Sequence, residues 1–426
     1  MRILRFSVYI FNPIYKEHKK NTSGYGRSVW DICRYSSMNG NEEYLYTFSN
    51  KKEIIDGNIN IVEGTLKTVL KSFDFQTLYR VLRMIKLVPK FKVESVKVKL
   101  APIKYMISYG YIKSLINEIE PDIIHIHGLT HSTLPFLEAA EEAGIPFIVT
   151  LHGLNMNVFK HKVGIDFEID QISRLNNAGN YITVISSGIT KTIINNCQIT
   201  NQEKIITINH GMDKNNFLFN LNKSILRDKY GLKNEKVILQ IGSLSERRNQ
   251  ICLIRSIAML SDYEKSRIIV YIVGDGKIKS FLQDEINALG LSRTIKLLGY
   301  KNHEELSELY TIASLTVVLS KIEGFGRPIL ESFLFGVPVI AFSDLDAVQD
   351  LYKEGCMFLI DNRDENAVCN KIREVLGLKI DVELIKEYAS TKTWNAASSK
   401  YQEVYRKAIS DFNKKNYRLK EEVKHE

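Results

Sequence analysis

Ser320-Lys321-Ile322-Glu323-Gly324-Phe325-Gly326-Arg327-Pro328-Ile329-Leu330-Glu331 joins a strand-like run to a helix through a glycine loop that carries two carboxylates. Thr316 to Leu319, just before it, are apolar or β-branched, as a parallel strand covered on both faces requires. Pro328 has the fixed φ that suits the first position of a helix, and Gly336 with Pro338 stops that helix. The backbone N–H groups near Gly326 and Arg327 have no intrahelical partner there, so they favour an anion or a hydroxyl. Glu331 falls in the first turn, where a carboxylate can accept hydrogen bonds from a diol such as a ribose, and Glu323 precedes the loop. Taken singly, Glu331 reads as a residue favouring the helix dipole and Glu323 as a solvated loop residue. The two glycines, the proline and the strand–loop–helix context turn the reading towards a ligand site.

A chain of 426 residues with 44% hydrophobic content is long and apolar enough for two sizeable cores. No run approaches the roughly 18 consecutive apolar residues of a membrane span. Met1 to Ile10 is too short and too regularly charged, by Arg2 and Arg5, for a secretory signal, so a cytoplasmic location is expected. The five cysteines are scattered and lack a CxxC, which suggests neither a disulfide framework nor a zinc site.

The net charge of +9 is concentrated between Leu66 and Lys113, where eleven Lys or Arg face only Asp74 and Glu94. Apolar residues such as Leu78, Leu82, Ile85 and Phe91 interleave with these cations, a mixture suited to an anionic membrane surface. The same pattern fits a solvated helical insertion packed on its domain. No recognised binding module accompanies the charge, so nucleic acid is not expected as a partner.

Strand-like runs alternate with helical ones throughout, which predicts an α/β architecture with parallel sheets. The first half offers Ile3–Ile10, Tyr44–Phe48, Ile123–His127, Phe147–Leu151 and Ile182–Ile185. The second offers Val237–Ile241, Ile268–Val273, Ile295–Leu297, Leu315–Leu319, Val337–Ile340 and Met357–Leu359. The turn-rich stretch Asn209 to Phe217 marks a boundary between two domains, and the charged tail from Lys414 is expected to fray.

Ligands of open α/β sheets sit at the carboxyl ends of the strands. Gly242-Ser243-Leu244-Ser245-Glu246-Arg247-Arg248 would bring two guanidiniums there, suited to phosphate, and Gly274-Asp275-Gly276 lets backbone approach a ligand. In the first half, Asn21 to Arg27 with Gly24 and Gly26 precedes a helix over 28–37 and reads as an anion cradle. Histidines follow two strands, in His125-Ile126-His127 and His152-Gly153; no carboxylate or Cys set completes a metal site, and His152 is the better candidate for substrate contact.

These motifs together resemble the retaining group 1 glycosyltransferase family. The resemblance implies a GT-B fold: two facing Rossmann-like domains with parallel sheets, over residues 1–207 (acceptor side, with the basic insertion 66–113) and 208–393 (nucleotide-sugar side). It also implies a helix, 394–415, crossing back to the N-terminal domain. Glu323 and Glu331 match the family's E-x7-E motif, and Asn209-His210-Gly211-Met212-Asp213, Gly242-Ser243 and Gly274-Asp275-Gly276 match further landmarks. By resemblance Glu331 holds the donor ribose, Glu323, Gly324, Phe325, Gly326 and Arg327 contact the sugar, and Arg248 takes the place of the family's diphosphate-binding lysine. Ser243 stands where the family often has Arg, with Arg247 close enough to compensate, and Gly24 and Gly26 do not form the family's usual pair.

The implied activity is transfer of a sugar from a nucleotide-diphosphate donor to a glycan or lipid-linked acceptor. Retention, and attack assisted by the leaving phosphate, are implied by the resemblance. No DxD-like clamp stands out, so no metal and no cofactor are expected. Glu323, His152 and Arg248 are the candidate catalytic residues. A sugar-nucleotide epimerase or phosphorylase on the same fold, or a non-catalytic sugar-nucleotide-binding scaffold, remain as alternatives.

Overall fold

A computed structural model describes residues 1–8, 24–48, 53–55, 58–87, 89, 96–154, 162–323 and 325–425. The chain divides into two compact units, Met1–His210 with Trp394–Glu426, and Gly211–Thr393. Both are α/β layers built on a mostly parallel sheet, so the two Rossmann-like domains expected from the alternating strand and helix runs are present.

The sheet of the first unit comprises β1 (Arg2–Phe6), β2 (Glu42–Tyr46), β3 (Glu53–Ile55), β4 (Ile59–Ile61), β5 (Ile123–His127), β6 (Phe147–Leu151), β7 (Tyr181–Val184) and β8 (Ile205–Thr207). Their order is β3-β4-β2-β1-β5-β6-β7-β8, and the β3–β4 pairing is antiparallel. Every residue of β5, β6 and β7 is buried, as helices on both faces of a parallel sheet demand. The chain winds one way from β1 to β2 and the other way from β5 onward, so the switch point lies between β1 and β5.

The helix Trp394–His425 completes this unit: Trp394, Tyr401 and Tyr405 are buried in one cluster with Ile3, Ile123 and Ile148. Beneath it Arg5 and Glu43, both fully buried, form an ion pair in which Arg5 Nη2 donates to Glu43 Oε1 at 2.8 Å. Arg5 Nη1 also donates to His125 Nδ1, which fixes that nitrogen as an acceptor and leaves Nε2–H to donate to Thr150 Oγ1 at 2.6 Å. The Tyr405 hydroxyl lies 2.8 Å from the same Nδ1, tying the helix to the sheet.

The second unit carries β9 (Lys236–Ile241), β10 (Ile268–Val273), β11 (Ile295–Gly299), β12 (Ala313–Val318), β13 (Val339–Phe342) and β14 (Met357–Ile360). The order β11-β10-β9-β12-β13-β14, with every pairing parallel, puts the switch point between β9 and β12. The loops that follow those two strands hold the residues singled out in the sequence.

Several boundaries differ from the sequence reading. The first strand ends at Phe6, and Ile10 lies outside the described residues. The helix expected over 28–37 runs from Gly24 to Met38, so Gly24, Gly26 and Arg27 belong to its first turn and not to a loop, while Asn21, Thr22 and Ser23 lie outside the described residues. The strands β3, β4 and β8 have three residues each, too few for a periodicity to register. The tail from Lys414 continues the helix through His425, in keeping with its Lys, Arg and Glu content.

Candidate functional site

At the switch point of the second unit three loops interlock. Gly242 N–H donates to the Val273 carbonyl at 2.9 Å, and Leu244 N–H to the Asp275 carbonyl at 2.9 Å. The approach is close enough that a Cβ on Gly274, whose φ is +139°, would lie 1.9 Å from the Gly242 carbonyl oxygen. Two buried glutamines secure the loop after β9: Gln240 Nε2 donates to the Arg248 carbonyl at 3.1 Å and Gln250 Nε2 to the Ser243 carbonyl at 3.0 Å. A glutamine inside the apolar run of β9 was the sequence signal for this brace.

Arg248 folds over the glycine loop, and a Cβ on Gly242 would sit 3.1 Å from its Nε. Its Nη1 pairs with Glu323 Oε2 and lies 3.3 Å from Ser320 Oγ. Its buried Nε has no hydrogen-bond partner among the described residues, so a donor remains beside the exposed Ser243 backbone. Burial, reinforced by the neighbouring Arg247 and opposed by Glu331, lowers the Arg248 pKa to about 10, still charged at neutral pH. Arg247 itself is exposed, and its carbonyl accepts from Lys321 N–H at 2.8 Å.

Glu323 and Glu331 are both buried, each about 7% exposed, which sets aside the reading of Glu323 as a solvated loop residue. The second oxygen of Glu323 accepts from Gly326 N–H at 3.3 Å. Gly326, with φ +76°, is the N-cap of the helix Arg327–Leu334, and Pro328 follows in its first turn. Glu331 is the fifth residue of that helix, past the first turn in which the sequence reading put it, and accepts from the Tyr310 hydroxyl at 2.9 Å. Tyr310 went unnoticed in the sequence because it comes from the preceding helix, His303–Ile312, twenty-one residues earlier. Phe325 is buried beside this cap, Gly324 lies outside the described residues, and Asp275 is exposed and accepts from Gly276 N–H at 2.9 Å. Gly242, Gly276, Arg248, Glu323 and Glu331 are thus brought to one end of one sheet.

In the first unit a row of histidines lies at the carboxyl ends of β5 and β6. His125 and His127 stack at 4.1 Å between ring centres, and His127 Nδ1 lies 2.9 Å from His152 Nε2. His152 also meets the edge of Tyr25 at 4.9 Å and packs 5.5 Å from His210, whose Nδ1 is 3.2 Å from Ser28 Oγ. Burial keeps the pKa of His125 and His127 well below the ordinary 6.5, so both rings are neutral at physiological pH. His127 and His210 were noted in the sequence only within motifs, and their contacts with His152 were not read there. The alternation His-Ile-His in β5 hinted at the first, because residues i and i+2 share a strand face. Among the described residues no cluster of three His, Cys, Asp or Glu side chains could hold a metal ion.

The family described as Glycosyl transferases group 1 matches residues 222–392, and Glycosyltransferase Family 4 matches residues 22–216. Each half of the chain thus matches a glycosyltransferase family model. An uncharacterised glycosyltransferase of Methanocaldococcus jannaschii is 30% identical over 153 residues, 34% of this chain and only 39% of that relative's length. A D-inositol 3-phosphate glycosyltransferase of Thermobispora bispora is 24% identical over 68% of this chain and 71% of its own length. An alpha-monoglucosyldiacylglycerol synthase of Acholeplasma laidlawii is 24% identical over 72% and 81%. Among solved structures, a sucrose-phosphate synthase from Thermosynechococcus elongatus superposes with a TM-score of 0.73 at 15% identity, covering 96% of this chain and 99% of that one. Anabaena HepE, solved in complex with UDP, gives 0.67 at 18% identity over 96% and 100%. At such identity these structures establish the fold.

Proposed function

We propose that this protein transfers a glycosyl group from a nucleoside-diphosphate sugar to a glycan or lipid-linked acceptor, with retention at the anomeric carbon and without a metal. The observation that carries the reading is the cluster of a partly buried Arg248 with the buried Glu323 and Glu331 at the switch point of the second unit, beside interlocked glycine loops. Arg248 is assigned to the diphosphate. Its Nε is the donor left for a phosphate oxygen, and Glu323 holds the guanidinium in place. Glu331, oriented by Tyr310, is assigned to the ribose hydroxyls. The loop Glu323 to Arg327 is assigned to the sugar, where a carboxylate favours the oxocarbenium-like charge of the transition state. In the first unit His152, positioned by His127, is assigned to a substrate contact.

In the transfer the C1–O bond to the diphosphate breaks, a C1–O bond to the acceptor forms on the same face, and the acceptor proton passes to the leaving phosphate oxygen. Arg248 then faces the group whose negative charge grows, the placement that electrostatic catalysis requires. The UDP of the HepE complex and the lipid product named for the Acholeplasma synthase make uridine donors and lipid acceptors the first to try. A panel of nucleotide sugars screened by thermal shift and then by product release tests the proposal. Slow release of nucleoside diphosphate without acceptor, faster with it, supports transfer. Consumption of free phosphate would instead indicate a phosphorylase, an epimerised donor an epimerase, and tight binding without turnover a scaffold.

A further inference from the structure

The insertion between β4 and β5 folds into the helices Leu66–Lys71, Phe75–Leu87, Val96–Met106 and Tyr109–Ile119. The helix Phe75–Leu87 is apolar on two opposite sides. Thr77, Val81 and Met84 are buried and hold it to the unit. On the other side Phe75 is 84% exposed, Leu78 39%, Tyr79 62%, Leu82 51% and Ile85 45%. At roughly 100° per residue these five fall within an arc of about 120°, with Lys86 between Phe75 and Tyr79. Leu66 and Leu70 of the preceding helix are also about half exposed, beside exposed Lys67 and Lys71.

An apolar stripe of this kind exposed to water is unfavourable unless something covers it. Neither helix contains an Asp or Glu. The nearby acids are engaged locally: Asp74 accepts from Thr77 N–H at 2.7 Å and Glu63 from Thr68 Oγ1 at 2.8 Å. Six of the basic residues fall into two groups, while Lys104 lies over the Phe48 ring and Lys90, Phe91 and Lys92 lie outside the described residues. Arg80 pairs with Glu138 and Glu142, Arg83 with Glu138, and Lys113 with Glu142, so these three are spent on the helix Leu134–Ala143. Lys67, Lys71 and Lys86 remain exposed around the apolar stripe. Arg80, Arg83 and Lys113 thus fit the reading of an insertion packed on its domain, and Lys67, Lys71 and Lys86 are left to an outward surface.

We infer that the outward face of Leu66–Lys71 and Phe75–Leu87 is a docking surface for an anionic lipid bilayer, with Phe75, Leu78 and Leu82 entering the interface and Lys67, Lys71 and Lys86 meeting the head groups. Exposed lysines around aromatic and aliphatic residues, on two helices that themselves carry no carboxylate, are complementary to that surface. No described helix is long and apolar enough to cross a membrane, so attachment by this face is peripheral. The inference stands apart from the sugar-transfer reading, since it uses none of the residues assigned to the donor.

The test is flotation of the full chain with vesicles of equal parts phosphatidylglycerol and phosphatidylcholine, against pure phosphatidylcholine. At about 0.05 M salt the parent should float with the acidic vesicles, and at about 0.5 M it should be released. Lys67→Glu/Lys71→Glu/Lys86→Glu should weaken binding at least about 100-fold, from roughly fivefold per charge. Phe75→Ser/Leu82→Ser should abolish flotation while leaving circular dichroism and nucleotide-induced thermal shifts unchanged, because both side chains face solvent. Equal recovery on neutral and acidic vesicles, no recovery at low salt, or variants that float like the parent would overturn the inference. So would a parent dimer that Phe75→Ser splits without any vesicle binding, which would make the stripe a contact between copies. Absence of nucleotide binding in the parent would count against the donor site and leave this result standing.

Discussion

Acidification from about pH 7.5 to about pH 5.5 should loosen the first unit and spare the second. His125 and His127 are fully buried, and burial, with Arg5 acting next on His125 and His125 next on His127, keeps their pKa values well below 6.5. In the unfolded chain each titrates near 6.5. The folded pKa is the lower of the two, so their contribution to stability is fully present above about pH 6.5 and is lost as the pH falls towards the folded value. One pH unit below the unfolded value, each ring costs about 1.4 kcal/mol, and the pair about 3 kcal/mol. His131, stacked on Phe167 and lowered to about 4 by burial, acts in the same direction. The second unit contains a single histidine, His303, and serves as an internal reference. Hydrogen exchange of the β5 and β6 amides, corrected for intrinsic rates and set against β9 and β12, reads the difference. Replacing His127 with Asn should remove about a third of the pH slope. Identical pH responses in the two units, or an undiminished slope in His127→Asn, would refute the reasoning.

Other outcomes follow from the same geometry. Arg248→Ala should weaken nucleoside-diphosphate binding about 10- to 150-fold, for a lost charge-assisted contact of roughly 1.5–3 kcal/mol; the exposed Arg247→Ala should change calorimetric affinity less than about threefold, and equal effects would remove Arg248 from the diphosphate. Tyr310→Phe should lower nucleotide affinity about fivefold by freeing the Glu331 carboxylate it orients, roughly 1 kcal/mol; an unchanged dissociation constant in the folded variant argues against the ribose assignment. Glu43→Ala strands the Arg5 guanidinium and should destabilise the first unit by about 3–5 kcal/mol in urea titrations, whereas Arg5→Met/Glu43→Leu should be far milder. A double variant as unstable as the single one would contradict that account.

Much of the second unit was legible in the sequence. Its strands are apolar runs closed by glycine turns, and the loop residues that meet at the switch point follow directly from those strands. What stayed hidden joins residues distant along the chain. Arg5 reads as a surface charge near the start, yet its partners Glu43 and His125 lie 38 and 120 residues away. The apolar and basic mixture from Leu66 onward suggested a membrane surface or a packed insertion, and side-chain placement supports a helix with one face for each. Arg80 turned inward because two carboxylates on the helix Leu134–Ala143 were within reach, a relation no local pattern encodes. The histidine row follows the same rule, since β5 and β6 become neighbours only once the sheet forms.

The helix Trp394–His425 gives the molecule an order of assembly. Gly211–Thr393 is one continuous segment, closed near its ends by the Met212 N–H bond to the Lys392 carbonyl at 2.9 Å, so it can fold as soon as it leaves the ribosome. The other unit cannot. Its first 210 residues emerge early but lack the tyrosines that cover Ile3, Ile123 and Ile148 until synthesis has passed residue 405. Chains stalled at Thr393 should therefore resist protease across β9 to β14 and be cut readily within β5 to β7. In the growing chain, the half made first is the half finished last.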